Sequence, residues 1–201
     1  MEILQIFGLF FQKIFELIMV IMGIDPSINC TGVCISINNE CKYILIPSKM
    51  TKRMKTFRND YIDLKPYNKE DYKNEEYESK EYIKTNNIYN ICNIIDQLII
   101  DYKPDHINME GISYGSVGSA ALADLAGLNF AIRGVFIRNN IPFTIVPPTK
   151  LKKFAVANGS ADKDLMVYAW KTLQPHLKNI NDIKVDDLAD AYFLAQYKNN
   201  P

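Results

Sequence analysis

VIMGIDPSINCTGVCISI, residues 20–37, is an apolar run that stops at an acid and then resumes as an alternating one. Val20–Ile24 ends at the turn signal Asp25-Pro26, and Gly32–Ile37 alternates with the two-residue period of a strand before Asn38-Asn39 turns the chain again. Cys41–Ile46 follows as a third run of the same kind. Three short runs joined by turns predict an antiparallel meander whose first strand carries a carboxylate, Asp25, at its carboxyl end.

Downstream the period changes. Ile88, Ile91, Cys92, Ile95, Leu98, Ile99 and Tyr102 recur at helical steps, the stripe of a helix lying on a sheet, and Pro104 stops it. His106–Met109 reads as the next strand and delivers Glu110 to its end, directly before Gly111. A helix is expected over Ser119–Arg138, with Ala121, Leu125, Leu128, Ile132 and Val135 on one face, and then a strand at Ile141–Val146. Pro147-Pro148 opens a short basic helix, and two more helices are expected near Asp162–Leu173 and Val185–Lys198. The order βββαβαβ followed by helices predicts an α/β fold. Its mixed central sheet begins with three antiparallel N-terminal strands, continues with alternating helices and strands, and is covered by helices on its faces.

At 201 residues with 48% hydrophobic content, the chain suffices for the core of one domain and not for two large ones. We expect that domain at 20–201. Residues 1–19 read as an apolar, amphipathic extension: Ile3, Phe7, Phe10, Ile14, Leu17 and Ile18 recur near helical spacing, while Gln5, Gln12, Lys13 and Glu16 interrupt the run below the length of a membrane span. From about 48 to 87 the composition turns charged and Tyr-rich, basic at first (Lys49, Lys52, Arg53, Lys55, Arg58) and then acidic, as an inserted arm would. Lys52 and Arg53 are its candidate DNA contacts, and a solvated charged face is the competing reading. The formal net charge of zero exerts no overall pull on a polyanion, so a nucleic-acid surface has to come from local segregation of charge. Four cysteines without CxxC spacing, and two histidines without a metal-finger pattern, suit a reduced cytoplasmic protein that is neither secreted nor partnered with a membrane. Cys30 and Cys34 read as strand packing.

If the first and fourth strands are neighbours, Asp25 and Glu110 emerge at one edge of the sheet, where α/β proteins place their sites. The last helix opens Val185-Asp186-Asp187-Leu188-Ala189-Asp190-Ala191; Asp187 and Asp190, three apart, share a face, and so do Asp186 and Asp190, four apart. Spacing does not choose between these pairs. Carboxylates within about 4 Å repel by roughly 4 kcal/mol per pair at an effective dielectric of about 20, a penalty that divalent cations remove. Hard oxygen ligands open to phosphate suit Mg²⁺, or Mn²⁺ in its place, and two such ions about 4 Å apart activate a water and stabilise a leaving 3′-oxygen.

Gly23-Ile24-Asp25-Pro26-Ser27, Glu110, the Asp187-Leu188-Ala189-Asp190-Ala191 run and Asn158-Gly159-Ser160-Ala161-Asp162-Lys163 together resemble the RuvC-type Holliday-junction resolvases. The likeness spans about 20–197 without the insertion, and over Glu110–Arg133 it is closer to phage-encoded members than to cellular ones. It implies an RNase H-like fold, a homodimer, and an endonuclease that resolves four-way DNA junctions by paired symmetric nicks with two Mg²⁺ ions per active site. For a virus-encoded member the compartment would be the host cytoplasm. By motif match Asp25, Glu110, Asp187 and Asp190 are the catalytic metal ligands, with Asp187 rather than Asp186 in third place. Lys163 matches a catalytic cation near the scissile phosphate and Lys152 a backbone-positioning one, while Lys150 and Lys153 widen the basic patch. Where the family commonly has an aromatic wedge three residues after the glutamate, this chain has Ser113, with Tyr114 next to stack on an opened base. Asp186 is expected to be dispensable, and the basic run at 49–58 to lie away from the acids. Two other readings stand beside this one. The Gly23–Ser27 turn with Thr31-Gly32 also resembles the phosphate-binding hairpin of sugar kinases and actin-like ATPases, which need two such domains. Related RNase H-like nucleases act on other branched DNA or on RNA–DNA hybrids.

Overall fold

The computed structural model describes residues 19–38, 40–112, 119–180 and 183–198 of the chain. The three expected strands are β1 (Val20–Asp25), β2 (Cys30–Ile37) and β3 (Glu40–Pro47), each antiparallel to the one before it. A short helix, α1 (Lys52–Thr56), then leads to an edge strand, β4 (Ile62–Leu64), which pairs parallel with β3. Helix α2 (Tyr77–Tyr102) returns the chain to β5 (His106–Glu110), and α3 (Ser119–Arg138) to β6 (Phe143–Val146). Helices α4 (Pro148–Val156) and α5 (Lys163–Leu173), a 3₁₀ turn at Pro175–Leu177 and α6 (Val185–Gln196) follow. The six strands are ordered β4-β3-β2-β1-β5-β6, with β5 parallel to β1 and β6 parallel to β5. This is the mixed sheet of an RNase H-like fold.

Strand alternation divides the core in two. Met22, Ile24, Val33, Ile35, Ile44, Ile46, Ile107 and Met109 turn toward α2 and α3, which meet them with Ile91, Ile95, Leu98, Leu128, Ile132 and Phe136. Their sequence neighbours Cys34, Tyr43 and Leu45 face α4, α5 and α6 through Leu151, Met166, Trp170, Leu188 and Leu194. Full burial of such a side chain contributes about 1.5–3 kcal/mol, so both layers hold the sheet strongly. Trp170 is buried because its one polar atom is satisfied: its indole N–H donates to the Tyr43 hydroxyl at 3.2 Å. In α3 the buried stripe runs through Leu128, Ile132, Val135 and Phe136, and Ala121, expected on that face, is exposed.

The charged segment at 48–87 is built into the fold. Met54, Ile62, Tyr67 and Ile83 are buried. The Tyr67 hydroxyl donates to the Ile28 carbonyl at 2.6 Å, and the Asn87 amide exchanges two hydrogen bonds with the Glu70 backbone. Helix α2 accordingly begins at Tyr77, eleven residues before the apolar stripe that announced it. Its first turns carry few apolar residues, so periodicity did not find them.

Candidate active site

Asp25 and Glu110 are brought together by register. Ile24 pairs with Met109 across the parallel β1–β5 ladder, so the next residue of each strand leaves the sheet at the same carboxyl-terminal edge. Both fall on the α6 side by alternation.

Helix α6 lies flush on that face because two strand residues lack a side chain. A Cβ at Gly23 would stand 2.1 Å from the Ala191 carbonyl oxygen and 2.4 Å from the Ala195 nitrogen; one at Gly32, which pairs with Asp25, would stand 2.1 Å from the Asp187 carbonyl oxygen. At the far end, the Asn108 amide of β5 donates to the Leu194 and Tyr197 carbonyls, capping the helix at 2.9 and 3.0 Å. The amino-terminal turns of α6 are thereby held over the acid-bearing edge, with Asp187 and Asp190 turned onto Asp25 and Glu110.

The electrostatics follow from that crowding. Burial, then Glu110, Asp190 and Asp187, holds the Asp25 carboxyl well above the usual range. Glu110 is pushed up to about 7 by burial and Asp190, against a hydrogen bond from Asp25 and the fields of Lys152 and Lys163. Asp187, raised to about 6 by burial and then Asp186, accepts a hydrogen bond from the Cys30 thiol. Asp190 is raised to about 6 by burial, with Lys163 the main opposing charge. Among the described residues no group of three or more His, Cys, Asp or Glu side chains forms a ready-made metal cage. The donor set itself, four carboxylates of which Asp187 is buried and Asp25, Glu110 and Asp190 are half-buried, with burial the first cause of their raised proton affinity, is one that hard divalent cations fit, because a cation replaces the protons and the repulsion together.

The lysines divide. Lys163, first residue of α5, donates to the Asp186 carboxylate at 2.6 Å, and its field reaches Asp187 and Asp25; Lys152 on α4 acts on Glu110 and Asp190. Lys150 and Lys153 are exposed and play no leading part in the acids' field. Lys52 and Arg53 are exposed on α1, which Met54 anchors beneath. β3 is parallel to β1, and the Ser48 N–H donates to the Asn29 carbonyl at 2.9 Å, so the basic run begins at the acid-bearing end of the sheet. Ser113 and Tyr114, like residues 1–18, lie outside the described residues. Asp186 and Cys30 are contacts that sequence reasoning missed. Lys163 is 23 positions from Asp186, and no local pattern couples them.

No family model matches the chain. It is similar to the crossover junction endodeoxyribonuclease RuvC of Orientia tsutsugamushi strain Ikeda, 30% identical over 175 residues, 87% of this chain and 93% of the relative. The RuvC of strain Boryong is 29% identical over 174 residues, with the same coverage. Among solved structures, T. thermophilus RuvC in complex with a Holliday junction substrate superposes with a TM-score of 0.57 over 88% of this chain and 90% of that one, at 13% identity, a likeness of fold.

Proposed function

The chain belongs to the RuvC family of crossover junction endodeoxyribonucleases, and from that premise we propose that it resolves four-way DNA junctions by paired symmetric nicks. The observation that carries this is the convergence of Asp25, Glu110, Asp187 and Asp190 from two strand ends and one helix onto a single edge. These four would hold two Mg²⁺ ions, or Mn²⁺ in their place. Metal bound by these residues would supply Lewis acidity for attack of water on the phosphate and departure of the 3′-oxygen. The four carboxylates would fix that position, and Asp187, in the first turn of α6, sits where the helix dipole favours negative charge. Lys163 places a cation where charge develops on the scissile phosphate, and Lys152 orients the backbone beside it. Lys150, Lys153, Lys52 and Arg53 extend the phosphate-binding surface, and Tyr114 stacks on an opened base.

Paired nicks need two active sites, and a homodimer supplies them. Phe130 and Ile137 stand 61% and 66% exposed on one face of α3, with Gly134 between them, which suits a second copy of this chain. Among the described residues no helix is long and apolar enough to cross a membrane. Four free thiols suit the reducing cytoplasm, of the host if the chain is virus-encoded. The catalytic unit in this reading is 20–201, with 48–87 as its added DNA contact.

The test is incubation with labelled four-way junctions, flaps, duplexes and RNA–DNA hybrids in Mg²⁺, with cuts mapped on every strand. Symmetric nicks in the junction are expected, and Asp25→Asn, Glu110→Gln, Asp187→Asn and Asp190→Asn should each lose on the order of 100-fold or more in rate while junction binding survives or tightens. Preference for flaps or hybrids would assign the site to a different RNase H-like substrate, and wild-type rates in any of the four variants would remove that residue from it.

A further inference from the structure

Lys163 opens α5, where the helix dipole repels a cation, and its side chain is 69% exposed. Nothing in its own helix holds it over the acids. Asp186 does: its carboxylate, only 20% exposed, accepts from the Lys163 ammonium at 2.6 Å. Asp186 occupies the first turn of α6, the helix locked to the sheet through Gly23 and Gly32, and precedes Asp187 directly. The amino-terminal turns of α5 and α6 are thus bridged by one short charge-assisted bond at the rim of the carboxylate cluster.

We propose that Asp186 is a positioning residue that holds the Lys163 ammonium at the site of phosphoryl transfer, a role that rests on the nuclease reading above. A partly exposed ion pair adds little to stability, so its consequence is geometric. A lysine free to rotate samples many rotamers, and one tethered to a rigid helix presents its charge from one place. Asp186 is thereby not dispensable.

The experiment is a double-mutant cycle on single-turnover cleavage of a labelled four-way junction at saturating protein and Mg²⁺, with junction affinity measured in EDTA. Asp186→Asn should lower the rate about 10- to 100-fold with affinity unchanged, Asp186→Glu should restore most of it, and Asp186→Asn should cost nothing more in a Lys163→Gln background. A second arm is independent of cleavage: acylation of surface lysines followed by peptide mass spectrometry should show Lys163 labelled faster in Asp186→Asn, with the other lysines unchanged. Equal losses in both backgrounds, or an unchanged rate, would overturn the positioning role. So would a raised Mg²⁺ requirement with the maximal rate intact, which would make Asp186 a metal ligand. If the wild-type chain cut no branched DNA, the nuclease reading would fail separately, and unaltered Lys163 labelling would still refute the pairing.

Discussion

Glu110, pushed up to about 7, and Asp187 and Asp190, each near 6, hold protons that a carboxyl of ordinary value 4.5 or 3.8 releases well below neutrality. Burial is the first cause in all three, and it makes a statement about stability. Because these folded-state values lie above the unfolded ones, the folded chain binds protons more tightly. The stabilisation is fully present below pH about 4 and is lost as pH rises through about 7. In EDTA the melting temperature of the chain should therefore fall over that window, and the fall should be smaller in an Asp25→Asn/Glu110→Gln double variant. Mg²⁺ at the upper pH should restore the wild-type melting temperature, since under the proposed function it would bind only the folded cluster. A wild-type curve that matches the double variant's, with no response to Mg²⁺, would mean that the four acids do not share a site.

Helix α6 depends on two absent side chains. At Gly32 an added methyl meets the Asp187 backbone, which cannot swing aside as a flexible side-chain tip would. Gly32→Ala should cost about 1–3 kcal/mol in urea unfolding and displace Asp187 enough to lower the cleavage rate. Gly127→Ala is the contrasting change: it lies in α3 with only Ile88 Cδ1 at 3.5 Å, an ordinary contact, and should gain roughly 0.5–1 kcal/mol from reduced backbone entropy. A second element, α1, presents Lys52, Arg53 and Lys55 outward over the buried Met54. Neutralising Lys49, Lys52, Arg53, Lys55 and Arg58 together should weaken junction binding and flatten its dependence on salt, by about 0.9 in log–log slope for each phosphate that is no longer neutralised. Single-turnover rates at saturating protein should stay near wild type, which separates this surface from Lys163.

On the scale of the whole molecule, the symmetric cutting proposed above requires two copies. Phe130→Glu with Ile137→Glu should leave the fold intact, since both side chains are exposed, and convert the chain to a monomer in sedimentation experiments. Paired nicks in one junction should then become single ones. A variant that remains dimeric would place the interface elsewhere. Much of this architecture was legible in the linear chain. The two-residue period of Val20–Ile37 and the helical period of Ile88–Tyr102 report which face of an element is apolar, and that local chemistry determined the meander, the helices and the two strand-end acids. Tertiary structure decided the rest. The 48–87 segment owes its place to contacts distant in sequence, β4 on β3 and Tyr67 on Ile28. Likewise Asp187 faces the acids while Asp186 holds Lys163, a choice that spacing left open. The rotation of α6 about its axis is set by backbone contacts with Gly23 and Gly32, more than 150 residues earlier in the chain.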